Sequence, residues 1–400
     1  MRAAKALVIL GSSLTALAVA RDAHRHGLRP IVIARHAGIA CESRRVLAPA
    51  SGDANTDLLD LVLRYGAPDH ALVATDDDVL RFVASQRAKI DDAYGLVLHP
   101  ANPVLAAFLE KHRFADWCAC NGFRTPRTWR PGTQARPAGL MFPLMLRPNA
   151  TARSGPGATL PKAVEARSEN DLQAWLARFE VHGVEPVVSE SLLSEDLIQY
   201  SVPFARSGCR MSSFVARKIR PGPRACLQGS YVRLSPNGAI EDLGRQLAIR
   251  ANYFGIGEVE ILHAPAVGRS YLIEVNPRPW LQFGLARAAG KDFLGEVLGM
   301  ALTYRSPRRQ HAWINFRDDR AVVVSGSAGF RRSGLASVAE YLWSLAVADV
   351  YAVFDWFDPA PFGAVLAETS RRARRRLAKP FGGRRGLREV ARNLLRRPAG

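Results

Sequence analysis

GIGEVEILHAPAVGRSYLIEVNPRPW, residues 255–280, is the stretch on which the reading of this chain turns. Two apolar-rich runs, Glu258–Leu262 and Ser270–Asn276, flank a loop that includes Gly268, the pattern of a hairpin. Strand side chains alternate faces, so Glu274 and Asn276 project to one side and Ile273 and Val275 to the other. Glu260 faces them if the two runs pair, and Glu258 shares its face. Two carboxylates and an amide oxygen make an all-oxygen donor set suited to Mg²⁺. Pro277 ends the pairing, and Arg278 leaves the strand beside the same cluster, where a cation can hold a carboxylate or a phosphoryl group. Alternation alone favours a plainer reading, with Glu274 a solvated strand residue and Asn276-Pro277 a turn. The rest of the chain decides between them.

Upstream, residues 1–110 alternate strand and helix signals. Ala6–Leu10 and Ile31–Ala34 are apolar runs flanking a helical pattern that stops at Gly27. MRAAKALVILGSSLTALAVA also has the layout of a secretory leader, but cleavage after Ala20 would remove the first strand of this unit, so an intracellular chain is the expectation. Gly11 stands without the other glycines of a dinucleotide fingerprint, which argues against NAD. Beyond Thr125-Pro126, short strands alternate with two helical segments, as in an α+β unit. The expected organisation is an N-terminal open-sheet α/β domain (1–115), an α+β domain (116–305), a helical or irregular extension (306–370) and a basic tail (371–400).

The 400 residues hold 55 Lys+Arg against 36 Asp+Glu, a net +19. Twelve of those cations lie in residues 371–400 against the single acid Glu389, so the tail carries +11 and the remainder only +8. That distribution does not describe a nucleic-acid-binding domain. Five scattered cysteines (41, 118, 120, 209 and 226) are an odd number and suggest a reducing compartment without a disulfide framework. No HExxH pair, zinc-knuckle spacing or Ser–His arrangement is present.

Taken together, these segments resemble the ATP-grasp superfamily, in particular its stand-alone carboxylate–amine ligases, over most of residues 1–305. LIEVNPR (272–278) resembles the family's metal-binding signature and VEI (259–261) the strand with its other glutamate. The resemblance implies Glu260, Glu274 and Asn276 as Mg²⁺ ligands (Mn²⁺ as a substitute) and Arg278 on phosphate and acyl substrate. FPLMLRP (142–148) resembles the strand that ordinarily ends in a phosphate-binding lysine; here Arg147 stands there, a planar fork in place of a compact ammonium. TARSGPGATLPK (151–162) resembles the loop that covers the phosphates and ends in Lys162, a second nucleotide lysine. VVSESLLSED (187–196) resembles the adenine-binding hinge, with Glu190 at the hinge and Glu195 or Asp196, the latter preferred, near the ribose. In ARKIRPGP (216–223), Lys218 or Arg217 faces the γ-phosphate, while Arg220 is equally readable as a solvated edge charge.

The implied fold is a pre-ATP-grasp α/β domain followed by an α+β ATP-grasp fold. The implied chemistry joins small-molecule carboxylate and amine (or thiol) substrates through an acyl-phosphate, releasing ADP and phosphate. A different class, a decayed ATP-binding scaffold on an anionic surface, finds its support in Arg147. The basic tail suggests weak contact with an anionic membrane or polyanion, with no specific nucleic-acid site, in a cytoplasmic protein peripheral at the membrane. Helical patterns at 371–378 and 387–397 are expected within it.

Overall fold

Ala6-Leu7-Val8-Ile9-Leu10 has no polar side chain, and such a run sits best where both sheet faces are covered. It forms β1 (Ala6–Leu10), buried throughout and flanked on both sides. β2 (Arg29–Ile33), β3 (His70–Ala74) and β4 (Leu96–Val97) complete an all-parallel sheet of order β2-β1-β3-β4. The structure, a computed structural model, describes residues 4–48, 57–101, 103–150, 160–192, 196–221, 229–300, 311–325 and 335–377. The chain leaves β1 toward β2 on one side and returns to β3 on the other, which opens a crevice beyond the carboxyl ends of β1 and β3. Gly11 turns there with φ 107°, and a Cβ would lie 2.5 Å from Thr75 Oγ1, so only glycine fits. Asp76 accepts from the Val79 N–H (3.0 Å) and caps the helix Asp77–Ser85, whose first turn therefore opens at this crevice.

A second, antiparallel sheet holds β5 (Thr128–Trp129), β6 (Leu144–Pro148), β7 (Val164–Ala166) and β8 (Pro186–Glu190) in the order β5-β8-β6-β7. Leu144 and Leu146 pack with Phe179 of the helix Glu169–Val181. Arg147 therefore faces away from that core.

The largest sheet comprises β9 (Ile198–Ser207), β10 (Arg210–Ser213), β11 (Ala216–Pro221), β12 (Gly229–Leu234), β13 (Gly255–Ala264), β14 (Arg269–Asn276), β15 (Ala312–Ile314) and β16 (Val350–Tyr351). Its order among the described residues is β14-β13-β9-β11-β12-β15-β16, with β10 also on β9. The run of residues 211–218 is divided between two strands. Phe214 breaks it by turning inward against Trp280 and Phe293, with ring centroids 6.1 and 5.7 Å away. The helix Gly238–Arg250 begins where Asn237 caps it by accepting from the Ile240 N–H (3.2 Å).

Two readings are corrected. Within 306–370, expected to be helical or irregular, residues 312–314 and 350–351 are strands of the large sheet, with Tyr231, Ala312 and Ile314 sharing a core cluster. Arg220 is not a solvated edge charge; its side chain is 1% exposed and its fork pairs with both oxygens of Asp319 at 2.8 Å. Asp319 lies on the helix Phe316–Ser325, 99 residues further on, which is why a local reading of the strand end misplaces Arg220.

Residues 354–400 form a separate compact unit. In it the helix Ala360–Leu377 runs straight through residue 370, so the basic segment expected at 371–378 is the second half of a longer helix. Residues 378–400, including the pattern expected at 387–397, lie outside the described residues. No helix among the described residues is long and apolar enough to cross a membrane.

Candidate active site

Antiparallel pairing of β13 with β14 sets Glu260 opposite Glu274 and Glu258 opposite Asn276. One irregularity controls which side chains face the site. The register shifts between Glu260 and Ile261, leaving Ile273 as an extra residue on β14. Leu272 and Val275, three residues apart, can then both enter the core beneath the sheet, where Val259 and Ile261 also lie. Glu258, Glu260, Glu274 and Asn276 are left on the opposite face.

Neighbouring strands supply partners on that face. Gln199 and Ser201 come from β9 and Lys218 from β11. Glu260 Oε2 accepts from Lys218 Nζ (3.0 Å) and Gln199 Nε2 (2.9 Å). Burial by itself raises the Glu260 carboxyl, but the Lys218 ammonium outweighs it and holds the group below the usual carboxylate range, helped by Lys162. Lys218 is likewise held above its ordinary value, the three carboxylates Glu260, Glu258 and Glu274 overcoming burial. Glu258 is different. Buried and next to the Glu260 charge, it is raised, while Ser201 Oγ and Asn276 Nδ2 (2.8 Å) donate to it. Because its amide nitrogen is committed to Glu258, Asn276 presents Oδ1 toward Arg278 Nη2 (3.3 Å).

Several residues reach this face from other parts of the chain. Lys111, first residue of the helix Lys111–Cys120, places Nζ 3.7 Å from Glu274 Oε2. Its N–H donates to the Asn149 carbonyl (2.9 Å), which ties the helix start to the end of β6. Burial depresses the Lys111 ammonium, and the positive charges of Arg147 and Arg81 add to this against Glu274 and Asp77. Arg147 stands on β6 two residues before Asn149, the residue that holds the start of this helix. From the parallel-sheet domain, Asp77 Oδ1 accepts from Arg278 Nε at 2.6 Å. His99 forms a second strap. Its Nε2 accepts from the Ala74 N–H (2.7 Å), which places the ring proton on Nδ1 for donation to the Pro277 carbonyl (3.1 Å).

Of the residues singled out from sequence, Glu260, Glu274, Asn276, Arg278 and Lys218 stand together, with Lys162 and Arg147 linked through their charges. Glu190 and Asp196 stand apart. Glu190 closes β8, where its carboxylate accepts from Arg127 N (2.9 Å) and Nε (3.0 Å). Asp196 is exposed on the connector from β8 to β9. Residues 151–159 and Glu195 lie outside the described residues. Sequence reasoning missed Lys111, Asp77, His99, Gln199 and Ser201. Strand alternation on β9 held a signal for the last two; the first three are brought in by packing across long stretches of chain.

No family model matches the sequence, and no curated protein matches it. Solved structures do match in shape. The ADP complex of PurK, N5-carboxyaminoimidazole ribonucleotide synthetase, superposes with a TM-score of 0.62 at 15% identity, covering 87% of this chain and 98% of that one. The fold of this chain is the ATP-grasp fold. The biotin carboxylase domain of Hydrogenobacter thermophilus 2-oxoglutarate carboxylase, solved with MgADP and bicarbonate, gives 0.58 at 16%, covering 75% and 70%. Rhizobium etli pyruvate carboxylase gives 0.57 at 16% over 75% of this chain, which spans only 29% of that protein's length.

The strap from His99 makes stability depend on pH in a defined direction. Burial pushes the imidazole down to about 3 from an ordinary 6.5. Between those values the unfolded chain binds a proton that the folded chain refuses. This contribution is therefore lost as pH falls through the window, at roughly 1.4 kcal/mol per unit. The raised Glu258 acts in the opposite sense, so the contrast with a His99→Gln variant isolates the histidine. In urea unfolding, the stability advantage of the parent over that variant should shrink by roughly 2 kcal/mol between pH 7 and pH 5. An advantage that stays constant would mean that His99 is not held neutral.

Proposed function

We propose that this protein is an ATP-dependent ligase that activates a carboxylate as an acyl-phosphate and passes it to an amine, with a thiol as the other acceptor class. One observation carries the reading: within an ATP-grasp fold, Glu260 and Glu274 oppose each other across β13 and β14, with Lys218, Lys111, Arg147 and Arg278 around them. The donor chemistry fits a magnesium ion, since two carboxylates and the Asn276 amide offer oxygen only. Glu260, Glu274 and Asn276 would hold it, and when bound it would neutralise phosphate charge and orient the phosphates.

The chain's own residues account for the remaining roles. Lys111, Arg147 and Lys162 supply cations for the nucleotide phosphates. Lys218, kept charged by three carboxylates, balances negative charge at the transferring phosphoryl group. Arg278, braced by Asp77 and Asn276, is positioned to align the attacking carboxylate. Carboxylate oxygen then displaces ADP from the γ-phosphorus, and the amine displaces phosphate from the acyl carbon. No protein nucleophile is required. Glu190 and Asp196 belong in this proposal to the adenosine end, along the β8–β9 connector. Arg147 in the lysine position preserves the positive charge beside Lys111, which favours a working site over a decayed one.

The test is Mg²⁺-dependent ADP release across a panel of carboxylic acids paired with amines and thiols, with the product identified by mass. ATP binding without ADP release for any pair would instead support the scaffold reading. Arg278→Ala should lower kcat about a hundred-fold with ATP affinity within about three-fold, because its partner is the reacting group and not the bound nucleotide. Equal losses in nucleotide affinity and in turnover would place Arg278 in the phosphate cradle.

A further inference from the structure

We propose that residues 354–377 are a docking element for anionic lipid surfaces, in which Trp356 and Leu366 enter the bilayer interface and Arg372 and Arg374 face its phosphates. Single exposed apolar residues are ordinary, but here two consecutive aromatics, Trp356 (83%) and Phe357 (78%), are exposed together with Leu366 (49%) in one short unit. The segment before the helix is internally braced. Phe354 meets the edge of Trp356 at 4.7 Å and of Phe362 at 5.3 Å, and the Phe357 N–H donates to Asp355 Oδ1 (2.8 Å). Trp356 is thus presented on a fixed turn.

The helix Ala360–Leu377 divides its chemistry along its length and around its axis. Residues 360–367, APFGAVLA, carry no charge, while five of residues 371–376, RRARRR, are arginine. At 100° per residue, Phe362 and Leu366 define one stripe; Arg371 lies opposite it, and Arg372 and Arg374 flank it. Flanking arginines at the boundary of an apolar stripe can lay their methylene stems on it and keep their heads at the phosphate level. Arg372, beside Glu368 on the helix, and Arg374 are both exposed. The +11 charge of residues 371–400 complements an anionic surface. An aliphatic Leu366 beside the aromatic turn favours a bilayer over RNA, because stacking on bases would make no use of it.

The experiment uses the full chain and sedimentation with phosphatidylcholine vesicles, with and without 30% phosphatidylglycerol (about that fraction suffices for a negative surface). Binding should require the anionic lipid and weaken with salt. Arg372→Gln with Arg374→Gln should reduce partitioning about thirty-fold. Trp356→Ala with Leu366→Asn, which leaves charge unchanged, should reduce it about ten-fold. A chain ending at residue 377 should still bind. Three outcomes would overturn the proposal: the Trp356/Leu366 variant binds like the parent, the chain ending at 377 does not bind, or the parent prefers poly-U RNA to anionic vesicles.

Discussion

Glu274→Gln should lower Mg²⁺-dependent ADP formation by about a thousand-fold while shifting the urea midpoint of unfolding very little, several kcal/mol being the ordinary scale of a metal's charge stabilisation. The asymmetry follows from where Glu274 sits. Its side chain is on the face of β14 opposite Leu272 and Val275, so no core packing is lost. Glutamine keeps the shape and one acceptor oxygen but removes the negative charge facing a divalent cation. The same substitution removes the carboxylate that supports the Lys111 ammonium, so a phosphate-facing cation is also weakened. Initial rates measured across a Mg²⁺ series, beside the unfolding curve, decide the matter. A normal rate with normal Mg²⁺ dependence would remove Glu274 from the metal set, and with it the ligase reading built on Glu260 and Asn276.

The hairpin that carries this site was legible because strand periodicity is local. Once Glu258–Leu262 and Ser270–Asn276 are strands, the shared face of Glu260, Glu274 and Asn276 follows from alternation. The register shift at Glu260 and Ile261 did not follow, since a bulge responds to what lies beneath the sheet. Lys111 and Asp77 show the limit more sharply. Lys111 reads as an ordinary charge opening a helix, and Asp77 as an acid favoured in a helix's first turn. Both readings are locally correct. What sends one to Glu274 and the other to Arg278, 201 residues away, is the packing of the parallel-sheet domain against the large sheet. Gly255 marks how close that packing is: at φ 110°, a Cβ would stand 2.5 Å from the Leu98 carbonyl at the end of the parallel sheet. The N-terminal domain was legible as a fold because β1 to β3 are buried apolar runs, and illegible as part of the site because its contribution passes through Asp77 and His99.

Asp319→Ala should destabilise the protein by about 3–5 kcal/mol, the range for removing one partner of a buried ion pair. Arg220 and Asp319 are 1% and 0% exposed, and their two forked bonds of 2.8 Å are joined by a third, from Ser230 Oγ to Asp319 (2.8 Å). Alanine would leave a guanidinium in the interior with Glu340 at 3.2 Å and the Tyr231 ring, 4.3 Å from its centroid, as remaining partners. It would also take the shorter of two acceptors from the Ser230 hydroxyl, leaving the Arg220 carbonyl at 3.3 Å. The pair need not be a net source of stability. Two charges taken out of water give back much of their attraction as desolvation, so Arg220→Met with Asp319→Leu should recover most of the loss. What the apolar pair cannot reproduce is direction. Arg220 lies two residues from Lys218 on β11, where the pairing with β12 shifts register between the two, and its forked bonds fix that strand against the helix Phe316–Ser325. The double variant should therefore regain its urea midpoint yet show a lower kcat, with Lys218 less firmly held beside Glu260. If the single variant instead loses less than about 1 kcal/mol, water reaches Arg220 and the pair is an ordinary surface bridge. If the double variant regains stability and full turnover together, the buried pair contributes nothing to the position of Lys218.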